Sequence, residues 1–229
     1  MSLLRRRMIM KGGIDDRIKV LLHLDGNIVD ERGNAVTTSN TYGTQYVEGK
    51  FGQCVDIADG ATSYGFNLKV QDLFGSVPSR FTVECWSKRA NEGVANCPNI
   101  AICSRGTSWT NYGVSGMVVA LTVTSQQGGR FAYSPNGAWG SLTYVAPIAG
   151  VTTHEAGVWR HYAVTYDNGV ITWFFNGNKV GEATMDHSQV ALTGNALGFH
   201  QFRLCDEFAF SNEILYAGDT YTVPSKPYK

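Results

Sequence analysis

The stretch His161-Tyr-Ala-Val-Thr-Tyr-Asp-Asn-Gly-Val-Ile-Thr-Trp-Phe-Phe-Asn-Gly-Asn-Lys-Val180 limits the fold more than any other part of the chain. Two Asn-Gly pairs, Asn168-Gly169 and Asn176-Gly177, interrupt runs of β-branched and aromatic residues. Asn-Gly favours turns with φ > 0, whose twist matches that of paired strands, so the stretch predicts a three-stranded antiparallel meander. The same grammar recurs elsewhere. Ile18–Leu24 is an apolar run stopped by Asp25-Gly26-Asn27, and Phe51–Ala58 is closed by Asp59-Gly60. In Phe81-Thr-Val-Glu-Cys-Trp86 the residues Phe81, Val83 and Cys85 share one face, with Thr82, Glu84 and Trp86 on the other. Val114–Thr124, Gly129–Tyr133, Leu142–Val145 and Phe202–Phe210 are further strand candidates, and Asn67–Leu73 is the one short stretch that reads as a helical turn. A dozen short strands in one domain predict an all-β, antiparallel two-sheet β-sandwich or jelly roll.

Composition agrees. The 229 residues include 26 glycines and 27 aromatics, and charged residues are 17%, below the ~25% of an average domain. A chain of this length buries about 70% of its unfolded surface, so its core needs neither disulfides nor a metal. Cys54, Cys85, Cys97, Cys103 and Cys205 are odd in number and lack metal-ligand spacing, which predicts reduced, buried thiols. The P-loop, the dinucleotide G-x-G-x-x-G, H-E-x-x-H and the G-x-S-x-G elbow are all absent. No secretory signal is expected, because only Met8, Ile9 and Met10 follow the N-terminal arginines, and no apolar run is long enough to span a bilayer.

The 19 basic and 19 acidic residues cancel, which excludes a generally basic nucleic-acid binder. The balance is uneven along the chain. Residues 1–13 carry Arg5, Arg6, Arg7 and Lys11 with no acid, leaving −4 on the rest. This predicts an extended basic N-terminal arm (1–13) that anchors the chain by docking on a neighbouring, acidic protein surface. The body follows at 14–215 and a C-terminal extension at 216–229.

Six pieces in order resemble the laminin G-like, concanavalin A-like jelly rolls. They are Leu21-Leu-His-Leu-Asp-Gly26, Lys50-Phe51-Gly52, Phe81-Thr-Val-Glu-Cys-Trp86, Trp159-Arg-His-Tyr-Ala-Val-Thr165, Phe174-Phe-Asn-Gly177 and Cys205-Asp-Glu-Phe208. The resemblance covers roughly residues 18–212 and implies two antiparallel sheets with rim loops able to bind glycan or calcium. The Tyr-rich, Pro-spaced ending from Tyr216 to Tyr228 is similar to the tails of such domains in bacteriophage virion proteins. That similarity implies a capsid or tail decoration protein, assembled in the host cytoplasm into an oligomer or larger particle with other virion subunits. Neither nucleic acid nor membrane insertion is expected.

Glycan binding needs an aromatic platform with short polar donors on rim loops. Ser104–Gly113 offers Arg105, Trp109, Asn111 and Tyr112, and Tyr133–Gly140 offers Asn136 and Trp139. The structural alternative is that Trp109 and Trp139 fold over a sheet or lie in a subunit interface. Trp86, Trp159 and Trp173 are read as core. Calcium, the one candidate cofactor, would take loop oxygens from Asp25, Asp59 or Asp167, with Asp186 in a further turn. Glycoside hydrolysis needs two carboxylates across one bond, but the E-x-D-x-x-E string of the jelly-roll glucanases is missing. Glu84 is alone on its strand, and Asp206 and Glu207, being adjacent, should point to opposite faces. In the family that the chain resembles, acids at these two places belong to the fold's pattern, which implies that Glu84 and Glu207 are structural hydrogen-bonders, and the chain is expected not to be an enzyme. A free-standing lectin is the alternative function, and a glycosidase comes after it.

Overall fold

The structure is a computed structural model that describes residues 15–39, 44–57, 67–70, 72–88, 99–104, 117–120, 130–135, 143–145, 157–191, 194–200 and 204–228. Eight strands form one sheet: β1 (Ile18–Leu22), β3 (Thr44–Glu48), β4 (Gln53–Ile57), β6 (Arg80–Lys88), β11 (Trp159–Asp167), β12 (Val170–Phe175), β13 (Asn178–Thr184) and β15 (Cys205–Ser211). Seven form the other: β2 (Val36–Ser39), β5 (Asn67–Val70), β7 (Asn99–Ser104), β8 (Met117–Ala120), β9 (Arg130–Tyr133), β10 (Thr143–Val145) and β14 (Ala196–His200). The spatial orders are β13-β12-β11-β6-β15-β4-β3, with β1 also on β15, and β10-β9-β8-β7-β14-β5-β2. Every strand pairing among the described residues is antiparallel. The regular helix among them is limited to a 3-10 turn at His187–Gln189.

One apolar core lies between the sheets. Phe81, Val83 and Cys85 of β6, Tyr162, Val164 and Tyr166 of β11, and Phe208 and Phe210 of β15 meet Ile100, Ile102, Met117, Val119, Phe131 and Leu197 of the opposite sheet. Phe131 stacks on Tyr166 with centroids 5.5 Å apart, and Tyr166 stacks on Phe81 at 5.0 Å. Offset stacks of this kind add to what area burial contributes.

The meander forms as its turns require. Asn168 and Gly169 have φ of 48° and 98°, and Asn176 and Gly177 have 47° and 80°. Both turns are therefore left-handed at their two central residues, as tight hairpins need. Cys54, Cys85, Cys103 and Cys205 are buried and outside any disulfide, and burial pushes the Cys54 and Cys103 thiols up to about 12.

Three expectations change. Asn67–Val70 is strand β5, not a helical turn, and it pairs with both β14 and β2. Trp173 is core, but Trp86 is buried on the outer face of the eight-stranded sheet and Trp159 is only half-buried. Trp159 lies beneath the Lys88 ammonium, 5.1 Å from its ring centre. Lastly, β15 does not alternate through Asp206 and Glu207. A bulge lies between Asp206 and Ala209, with Glu207 at φ 51°. A bulge inserts an extra residue and re-aims its side chain. Cys205, Phe208 and Phe210 thus keep to the core, while both acids bond to groups on the outer side.

Candidate functional site

Arg105, Trp109, Asn111, Tyr112, Asn136 and Trp139 lie outside the described residues, as do the anchoring Arg5, Arg6, Arg7 and Lys11 and the turn residue Asp59. Of the other turn aspartates, Asp25 accepts from the Gln53 amide at 2.6 Å. Asp167 takes the Arg80 guanidinium at 3.1 and 3.2 Å. Asp186 caps the 3-10 turn through the Ser188 amide at 3.0 Å. Each thus has a local partner, the common fate of turn aspartates. Among the described residues no three His, Cys, Asp or Glu side chains gather into a metal site.

The densest chemistry is on the outer face of the eight-stranded sheet, where the segment after β15 crosses the strands. It departs through Thr82, whose hydroxyl donates to the Glu213 carbonyl at 2.8 Å and accepts from the Leu215 amide at 2.9 Å. Tyr216 stacks on Tyr221 at 3.6 Å, and both set an edge against Phe174 of β12. The Tyr221 amide donates to the Gly177 carbonyl at 2.8 Å. There a side chain on Gly177 would put a Cβ 2.4 Å from the Tyr221 oxygen, so the second Asn-Gly turn also seats the tail. Tyr228 closes the path over Ile18, Leu21 and Ala209.

Beneath this cover Glu84 is 1% exposed. Its two oxygens accept from the hydroxyls of Tyr216 and Tyr228. His161, fully buried, faces the Tyr221 hydroxyl at 2.6 Å through Nδ1, with Nε2 unpaired and 3.7 Å from Glu84 Oε2. Burial pushes the Glu84 carboxyl up to about 7, although both tyrosine hydroxyls pull it down. Burial pushes the His161 imidazole down to about 3. Between those values both groups are neutral, so the 3.7 Å approach is not an ion pair.

The neighbouring acids are also bound. Asp206 Oδ2 accepts from the Lys50 and Phe51 amides at 2.6 and 3.0 Å, while burial still raises its carboxyl to about 6. Glu207 takes the His23 imidazole at 2.7 Å and the Tyr228 amide at 3.0 Å. The hydrogen bond to Glu207 raises the His23 pKa. Glu84 and Glu207 are structural acceptors, as the family resemblance implies. The sequence reading missed what they hold: the tail. A signal was present, since a solvated outer face would not carry Trp86, Ala163 and Phe174.

Two antiparallel sheets around one apolar core define a jelly-roll β-sandwich, here with one outer face roofed by the chain's own C-terminal segment. Residues 59–202, more than half of the chain, match a laminin G domain family described as the concanavalin A-like lectin/glucanases superfamily. The chain belongs to that superfamily. No curated protein matches the chain. Among solved structures, it resembles domain 4 of AbnA, a GH43 extracellular arabinanase from Geobacillus stearothermophilus, in complex with arabinotriose. That match has TM-score 0.59 and 15% identity, over 85% of this chain and 91% of that one. It also resembles a structure of botulinum neurotoxin type C, whose cell entry is described as dependent on two ganglioside molecules (TM-score 0.54, 15% identity, 90% of this chain). The binding domain of Paraclostridial Mosquitocidal Protein 1 is a third (TM-score 0.57, 15% identity, 88% of this chain). The chain spans about half the length of the two toxin structures. At 15% identity these are likenesses of fold.

Proposed function

We propose that the chain is a non-catalytic, lectin-like display module of a bacteriophage particle, held by its basic arm and adhering to host-surface glycans through its rim loops. The observation that carries the non-catalytic reading is the roofed outer face. Glu84 and Glu207 accept buried structural hydrogen bonds, Asp206 does so through Oδ2, and each of the three is 1% exposed. Recognition then falls to the loops, where a rigid sandwich places its binding residues. The arabinotriose and gangliosides named for two of the fold neighbours support a sugar ligand. The virion setting is supported by the +4 arm and by the Tyr- and Pro-spaced tail.

On a glycan array the protein is expected to bind a defined subset of sugars. Trp109→Ala or Trp139→Ala should weaken that signal at least tenfold, as loss of an aromatic hot spot does. An array with no signal would leave only the display role. For the anchor, a phage whose copy of this protein lacks residues 1–13 should assemble particles without it, while the shortened protein keeps its melting temperature. Normal incorporation would rule the anchor out.

A further inference from the structure

At the rim where β6 begins and β15 ends, the connection from β5 to β6 does not fold into a hairpin, but both its ends are pinned. Near its start the Leu73 and Phe74 amides both donate to the Asn195 carbonyl, at 2.8 and 3.2 Å, and Asp72 accepts from the Asn195 side chain at 2.7 Å. At its far end the Asn168 amide donates to the Ser79 carbonyl at 2.7 Å, and Arg80 is paired with Asp167. Leu73, Phe74 and Val77 root it in the main core. The loop is thus a rigid wall, and a rigid wall lowers the ordering cost of binding.

Between this wall, the start of β1 and the end of β15 lies an open cleft of about 690 Å³, a volume within the range of small-ligand sites. Phe74, Val77 and Pro78 give it an apolar strip, and Phe74 is steadied by an edge contact with Phe210 at 5.7 Å. Ser76, Ser79 and Asn212 are exposed along it. Their hydroxyl and amide groups are not engaged with other described residues. Four charged residues line the cleft, Lys19, Arg80, Asp72 and Glu213, and Lys19 donates to the Asp16 carbonyl at 3.0 Å. Arg80 is neutralised by Asp167 and Asp72 is bonded to Asn195.

An apolar strip edged by uncommitted short polar groups suits an amphipathic polyol. An anion would meet the Asp72 and Glu213 carboxylates beside Lys19, the cleft's one unpaired cation among the described residues, and a peptide would want a free strand edge. We infer that this cleft, built from residues other than those of the Trp109 and Trp139 loops, is a binding subsite for a neutral oligosaccharide. The inference rests on the lectin-like reading proposed above.

The test is an array of neutral and sialylated oligosaccharides, read with the full chain, with the double variant Ser76→Ala/Asn212→Ala, with Ser76→Arg, which fills the cleft, and with Trp139→Ala. Both cleft positions are exposed, so the variants should melt with the parent protein. The expected result is binding to neutral sugars that drops at least tenfold in both cleft variants. Neutral-sugar binding that the cleft variants leave unchanged and Trp139→Ala abolishes overturns the cleft and keeps the lectin reading. So does binding confined to sialylated sugars. An array with no signal from the parent protein overturns both.

Discussion

A chain ended at Leu215 is expected to melt about 10–20 °C below the full chain, a loss on the order of 5 kcal/mol. The segment removed carries three tyrosines and little regular structure, so the size of the effect comes from what they cover. Tyr216 and Tyr221 stack on each other and meet Phe174 edge-on, and Tyr228 lies over Ile18, Leu21 and Ala209. Deleting a fully buried aromatic side chain costs about 3–5 kcal/mol, and these rings are only half-buried. Three half-covered rings with two hydroxyl–carboxyl bonds to Glu84 reach the stated loss without help from the backbone. That is a large part of the 5–15 kcal/mol that holds a typical domain together. Tyr228→Phe separates the contributions. It keeps the ring over Ile18 and Leu21 and removes one bond to Glu84, so it should cost about 1–3 kcal/mol. Urea titration and thermal melting of the three proteins measure both effects. A truncated chain that melts within 2 °C of the full one would show that the tail merely rests on the sheet.

The tail also marks how far the sequence carries. The meander and β6 are legible because Asn-Gly turns and clean alternation mark them. β5, β7 and β14 lack such marks. Asn67–Val70 reads equally well as a helical turn, and only its pairing with β14 and β2 makes it a strand. The Glu207 bulge has no local sign, since the residues that favour φ > 0 are glycine and asparagine, not glutamate. The roles of Glu84 and Glu207 as acceptors follow from the family resemblance, but the donors to Glu84 are far along the chain. Tyr216 and Tyr228 are 132 and 144 residues from Glu84. No period or motif links them. Burial of the outer face is hinted at by Trp86 and Phe174, whereas the cover that buries it is a property of the folded chain. The polar cleft at the rim is less visible still, because its uncommitted groups come from the loop before β6 and from the residue after β15.

Substituting Glu84 by glutamine should change how stability depends on pH more than it changes stability itself. In the folded chain the carboxyl titrates at about 7 rather than near 4.5, because burial opposes its charge. Below pH 4.5 it is protonated both folded and unfolded, and the fold loses nothing. As pH rises from 4.5 through 7, the unfolded chain releases this proton first, and stability falls. At 1.36 kcal/mol per pH unit the fall is roughly 3 kcal/mol. Glutamine has the same shape and no proton to release. Its carbonyl accepts from one tyrosine, and the other hydroxyl can rotate to accept from its amide.

The remaining buried groups titrate in both proteins. His161, held down to about 3 by burial, contributes stability that is lost as pH falls below 6.5. Asp206, raised to about 6, loses stability as pH rises towards that value. His23, raised by Glu207, loses it as pH climbs past its folded value. The Asp206 and His23 slopes largely cancel when Glu84→Gln is compared with the parent protein at each pH, so the difference reports Glu84 together with His161, whose Nε2 lies 3.7 Å from it. The variant should be within about 1 kcal/mol of the parent at pH 4 and should gain roughly 3 kcal/mol on it by pH 8. Urea midpoints at half-unit steps across that range would show the crossing. A difference that stays constant with pH means that Glu84 titrates at its ordinary value, and therefore that water reaches it beneath the tyrosines.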